Sequence, residues 1–154
     1  MKEIYSVEGI LNRGFVGQIT YMVCLEDTYD KLDIHFSFDA DKRTYCEEDV
    51  TDKLMADTRE LCLREYGRDF SDEELRNSIL SEMKTEIHTL AMLNDEFIGC
   101  VHKQLMDRHM LYDGEFASEG CIPQAKFDGV LKVTVLVFNV IKDHTHYTLT
   151  VSAE

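Results

Sequence analysis

The chain has 154 residues, with 30 acidic side chains against 16 Lys and Arg, for a formal charge of −14 at pH 7. That length fits one domain, residues 1–154, with a core large enough to need no disulfide or metal staple. The charge argues against direct contact with nucleic acid or an anionic membrane, and favours basic protein surfaces within a Debye length of about 8–10 Å.

The N-terminal third reads as strands. Tyr5, Val7 and Leu11 share one parity, with Gly9 among them, and Asn12-Arg13-Gly14 supplies turn chemistry. Phe15, Gly17, Ile19, Tyr21, Val23 and Leu25 then alternate with polar or smaller neighbours, which predicts a hairpin. Glu26 to Asp30 is expected to turn. Leu32, Ile34, Phe36 and Phe38, alternating with Lys31, Asp33, His35 and Ser37, form the clearest period-2 stretch.

From about Glu47 the period lengthens. Val50, Leu54, Thr58, Leu61 and Cys62 follow helical spacing, with Gly67 as the stop. Ser71 and Glu74 make a capping box ahead of Leu75, Ile79, Met83, Ile87 and Leu90. The same stripe runs on through Phe97, Ile98, Val101 and Leu105, with a break or kink expected at Asn94-Asp95-Glu96. Tyr112 to Phe127, containing Gly114, Gly120 and Pro123, reads as a long loop. Val130 to Ile141, a turn at Lys142-Asp143-His144, and alternating Tyr147, Leu149 and Val151 return the chain to strands. The expected fold class is α+β, an antiparallel sheet in β-β-β-α-α-(α)-β-β order covered on one face by helices. Whether the two terminal hairpins share a sheet or form two is left open by the pattern.

Five cysteines without a C-x-x-C pair, and no apolar leader after Lys2 and Glu3, suit a reduced cytoplasmic setting. The apolar run Val133–Val140 falls far short of the roughly 20 residues of a membrane helix. Gly14-Phe-Val-Gly17 lacks the Lys-Ser/Thr ending of a phosphate loop. Cys100 and His102, two apart on the expected helix, would point about 200° away from each other and form no nucleophile–base pair. No cofactor is implied.

Two constellations remain. His144 and His146, two apart on a strand, can present both imidazoles to one metal, with His102, His109 or Glu115 as a third ligand. Thr148 and Thr150 share their parity, so a solvated polar stripe accounts for them equally well. The other constellation is acidic: between Glu26 and Glu74 stand 17 acidic and 7 basic residues. Glu47, Glu48, Asp49 and Asp52, and then Asp72, Glu73 and Glu74, lie at the two helix starts, where carboxylates complement the helix dipole. Set side by side, those starts would make one negative patch. Solubility alone can also explain such charge. Exposed ion pairs are worth only about 0–1 kcal/mol each, so a working interface needs an aromatic anchor. Tyr29, Tyr45, Tyr66 and Phe70 lie within the acidic segment, although each also has a reading as a core residue.

The function expected is a non-enzymatic acidic interaction module that occupies a basic protein surface, such as that of a nucleic-acid-binding protein. In size, acidity and lack of catalytic motifs the chain is similar to small acidic inhibitors of defence nucleases from phages and mobile elements. Two alternatives stand beside it. One is a small enzyme or metal-binding module built on His144 and His146. The other is a homo-oligomer joined through an apolar helix face including Met55, Leu63, Met92, Met106 or Met110.

Overall fold

The alternation at Leu32–Phe38 is realised residue by residue: Leu32, Ile34, Phe36 and Phe38 are buried while the residues between them are half-exposed. The computed structural model, which describes residues 1–102 and 105–154, places this strand at the centre of a five-stranded sheet. The elements in chain order are β1 (Lys2–Leu11), β2 (Gly17–Tyr29), β3 (Lys31–Phe38), α1 (Asp52–Tyr66), α2 (Asp72–Ser81), β4 (Glu86–Leu93), β5 (Glu96–Val101), β6 (Asp107–Asp113), β7 (Phe116–Ala117), β8 (Phe127–Asn139) and β9 (Thr145–Ala153). The first sheet has the order β1-β9-β3-β6-β7 and the second β2-β8-β4-β5, with antiparallel pairing throughout. With 52% strand and 20% helix, the protein is mostly β. Among the described residues no helix is long and apolar enough to cross a membrane.

The two sheets close on one apolar core. Leu32, Ile34 and Phe36 of β3 and Leu149 and Val151 of β9 belong to the same buried cluster as Leu131, Val133 and Val135 of β8. Polar links cross between the sheets. The hydroxyls of Tyr21 (β2) and Tyr147 (β9) are 2.5 Å apart, and Tyr112 Oη of β6 donates to the Ile98 carbonyl of β5. Arg108 of β6 donates through Nε to Thr89 Oγ1 of β4 and stacks over Phe36, 4.6 Å from the ring centroid. Burial lowers its pKa to about 10, so it stays charged at neutral pH.

The helices gather elsewhere. Leu54 of α1 and Ile79 of α2 join Tyr45 and Ile141 in a second, smaller core. Thr85 ties this lobe to the strands, donating to the Lys42 carbonyl and accepting from the Ile141 N–H.

Several expectations need correction. The strands form two sheets, the choice the pattern left open, and the two terminal strand pairs are not hairpins: β1 pairs with β9, and β2 with β8. Glu26 to Tyr29 extend β2 rather than turning. The stripe expected to be helical beyond Met83 is β4 and β5; only the part through Ser81 is helix, and residues 103–104 lie outside the described residues. Ile87, Thr89, Ala91 and Leu93 face the core with period 2, while Leu90, which continued the expected helical stripe from Ile87, lies on the other face with Met92. Asn94 and Asp95 adopt left-handed φ of 50° and 68°, the turn geometry of a two-residue hairpin loop, and so join two strands instead of capping a helix. Within the expected loop from Tyr112, β6 ends at Asp113 and the short β7 returns beside it.

Gly9 has a steric reason. A Cβ there would lie 2.3 Å from the ring of buried Tyr147, which stands opposite it across the β1–β9 pair. Gly9→Ala is expected to cost roughly 1–3 kcal/mol in urea unfolding through overpacking, with partial recovery in Gly9→Ala/Tyr147→Leu. An unchanged midpoint would show that the ring has room to move.

Candidate interaction surfaces

Local chemistry builds the helical lobe as the sequence indicates. Thr51 caps α1, its hydroxyl accepting from the Leu54 N–H at 3.1 Å, and Gly67 ends that helix with φ of 65°. At the start of α2, Ser71 Oγ accepts from the Glu74 N–H at 3.2 Å, while the Glu74 carboxylate accepts from the Ser71 N–H at 2.8 Å and is held below its usual pKa.

The two acidic helix starts do meet. Asp52 of α1 and Asp72 and Glu73 of α2 line one shallow depression with Val50, Met55 and Arg76. Much of the acidity nearby is already engaged inside the molecule. Arg76 pairs with Glu47, and Arg59 with both Asp69 and Asp72. Asp49 accepts from the Cys46 N–H at 2.7 Å and lies 2.8 Å from Lys142 Nζ, which together bring its pKa to about 2. Among the described residues Glu48, Asp52 and Glu73 enter no ion pair, and they are exposed.

The aromatic candidates separate. Tyr45 is buried, its hydroxyl donating to the Ile141 carbonyl at 2.7 Å, and belongs to the small core. Tyr29 packs half-buried against the main core. Tyr66 is 74% exposed and meets Phe70 edge-on at 6.4 Å, with Arg68 over the other ring at 4.3 Å. Cys62, Tyr66, Phe70 and Leu75 line a groove of about 240 Å³ whose polar wall is Glu74, Ser78 and Glu82. It lies on a different face of α2 from the Asp52 depression.

A second surface was not legible in the sequence. On the outward side of the second sheet, Met22, Lys132, Met92 and Phe97 form one cross-strand row, and Thr20, Thr134, Leu90 and Cys100 the next. Leu136 and His88 continue it, and the exposed Phe138 packs on the His88 ring at 4.5 Å. Within these rows the charged side chain is Lys132, which pairs with Asp95. The outward side of the first sheet is polar by contrast, presenting Thr148, Thr150, Asp33, His35, Asp107 and His109.

His144 sits in the turn ahead of β9 with φ of 55°, whereas His146 lies on the strand, and both are exposed. The strand alternation expected to aim the two rings together therefore begins only after His144. Burial pushes the Cys100 thiol up, and all five cysteines are free. The fold stacks His35 and His109, on two separate strands, and also sets the His88 and His102 rings 6.1 Å apart. His35 and His109 each end an Asp-x-His tripeptide, a repeated pattern that was available in the sequence.

An acidic two-sheet β-protein with a helical lobe is the class this geometry defines. The chain belongs to the Family of unknown function (DUF6669), which it matches over residues 1–154. No curated protein and no solved structure matches it.

Asp49 gives a pH-dependent test of the lobe. Its carboxyl titrates near 3.8 when free and at about 2 in the fold, so its stabilisation is present above pH 4 and lost as pH falls towards 2. Asp49→Asn is expected to lower unfolding free energy by about 1 kcal/mol at neutral pH, after solvent screening, with most of the difference gone by about pH 2. A cost independent of pH in urea titrations would contradict this role.

Proposed function

We propose that the chain is a non-enzymatic interaction module whose helical lobe receives a basic, amphipathic segment of a partner protein. The observation that carries the reading is the groove of Cys62, Tyr66, Phe70 and Leu75 walled by Glu74 and Glu82. It combines what charge alone lacks: an aromatic anchor beside carboxylates. The apolar floor supplies affinity, and the carboxylates orient and accelerate the encounter. A partner segment rich in Lys and Arg is chemically what binds phosphates, so occupation of the groove would exclude nucleic acid from that segment. The exposed Glu48, Asp52 and Glu73, which enter no ion pair among the described residues, add to the attracting field.

A specific observation also favours a homo-oligomer, though not through the expected helix face, since Met92 and Met110 lie on strands, Met110 is buried, and Met55 and Met106 pack against the two cores. The apolar outward side of the second sheet includes Met22 at 67% exposure and Phe138 at 52%. Two copies packed through this face about a twofold axis would cover it.

For the groove, the probe is a fluorescent peptide with Lys and Arg on one helical face and a Trp–Leu anchor on the other, followed by anisotropy. Binding is expected to weaken at least about tenfold in Tyr66→Ala. It is also expected to weaken on raising NaCl and in the Glu48→Gln/Asp52→Asn/Glu73→Gln variant. Binding indifferent to Tyr66, or absent at low salt, would refute the reading. For the sheet face, light scattering is expected to give a dimer mass that survives high salt and falls to monomer in Met22→Lys; a monomeric wild type would remove it.

A further inference from the structure

The outward side of the first sheet carries one tripeptide pattern twice, Asp33-Ile34-His35 on β3 and Asp107-Arg108-His109 on β6. The strands are antiparallel, with His35 directly opposite His109. Alternation sends Ile34 and Arg108 into the core and leaves the two aspartates and two histidines together on the outside. The imidazole planes are 3° from parallel, with centroids 4.1 Å apart. Each ring meets the carboxylate of the opposite strand: His35 Nε2 lies 3.1 Å from Asp107 Oδ1, and His109 Nδ1 lies 2.9 Å from Asp33 Oδ2. His109 Nε2 turns toward the same Asp107 oxygen, at 3.9 Å.

The hydrogen bonding orders this group. Asp33, whose side chain is only 15% exposed, accepts from Nδ1 of His109 and so selects the tautomer whose Nε2 carries a lone pair. That lone pair faces the Asp107 carboxylate, which also accepts from Nε2–H of His35, so an ion bound there replaces that hydrogen bond and leaves the His35 proton on Nδ1. A carboxylate behind an imidazole whose other nitrogen is free is the usual outer partner of a metal-ligating histidine, raising its basicity and fixing its ring. Ligand atoms of His35, Asp107 and His109 all lie within 4.8 Å of one another. A tetrahedral zinc with bonds of about 2.0–2.1 Å needs ligand atoms about 3.4 Å apart and lies near the plane of each ligating ring, so the two stacked imidazoles must turn out of their parallel arrangement to share it.

We propose that His35, His109 and Asp107 bind one divalent transition-metal ion per chain, with Asp33 as the orienting carboxylate. Two imidazoles and one carboxylate suit Zn²⁺, Co²⁺ or Ni²⁺, whereas Mg²⁺ and Ca²⁺ prefer all-oxygen shells. The site is open to solvent, so a water or an outside donor completes the coordination. Its ligands come from neighbouring strands far apart in sequence, so the ion clasps β3 to β6. This site is separate from the helical groove, and its failure would leave that reading untouched.

The test is calorimetric titration of metal-stripped protein with ZnCl₂ under reducing conditions. One ion per chain is expected, with affinity reduced at least about tenfold in His35→Ala/His109→Ala and about tenfold in Asp33→Asn. His144→Ala/His146→Ala should bind as wild type does. The free cysteines are competing ligands, so Co²⁺ loading distinguishes them: nitrogen and oxygen ligation lacks the near-ultraviolet thiolate band. Long-range ¹H–¹⁵N spectra of the wild type give a readout that needs no variant to fold, and the His35 and His109 Nε2 resonances should move on adding zinc. Absence of zinc binding, affinity unchanged in the double histidine variant, or unmoved Nε2 resonances would each overturn the proposal.

Discussion

The register of β3 between β6 and β9 governs the rest of the molecule. Side chains on a strand alternate, so sealing Leu32, Ile34 and Phe36 against β8 also fixes what faces outward. A slip of one residue would put Asp33 and His35 into the core and expose two of its largest fully buried side chains, Phe36 and Leu32. The cost of burying an unpaired carboxylate excludes that alternative. The same register brings His35 opposite His109 on one side and Thr150 on the other. The outer polar group is thus a consequence of core packing, held at no separate cost in backbone order.

Charge plays two roles in the helical lobe. Asp49, Glu47, Asp72 and Glu74 serve mainly inside the fold, as partners of Lys142, Arg76, Arg59 and the Ser71 cap. Glu48, Asp52 and Glu73 carry the outward part. The distinction matters because internal pairs present less field to a partner, so net charge overstates what a docking surface offers. Shape supplies the remainder: Tyr66 stands out from α1 beside Phe70, where no core demand places it.

Legibility in the sequence followed locality. β3 and β9 showed because one face was apolar and the other polar, and α1 and α2 showed because their caps lie within a few residues of what they cap. β4 was hidden because both its faces carry apolar side chains. Leu90 on the outside, three residues after Ile87 on the inside, breaks the alternation and imitates a helical stripe. Strand partners were hidden because they are distant, β1 with β9 and β2 with β8. The joining of acidic helix starts at Asp52, Asp72 and Glu73 was anticipated as a condition and is met. The Asp-x-His pair escaped notice because its meaning depends on a β3–β6 pairing that no local pattern reports.

The central claim is that the helical lobe, rather than a sheet face, receives a basic partner. Hydrogen–deuterium exchange of the protein with and without saturating basic amphipathic peptide tests it most directly. The account predicts new protection confined to the C-terminal half of α1, the turn through Phe70, and α2, with β3 and β9 unchanged. Protection on the strands of either sheet, or none anywhere while the peptide is bound, would contradict it.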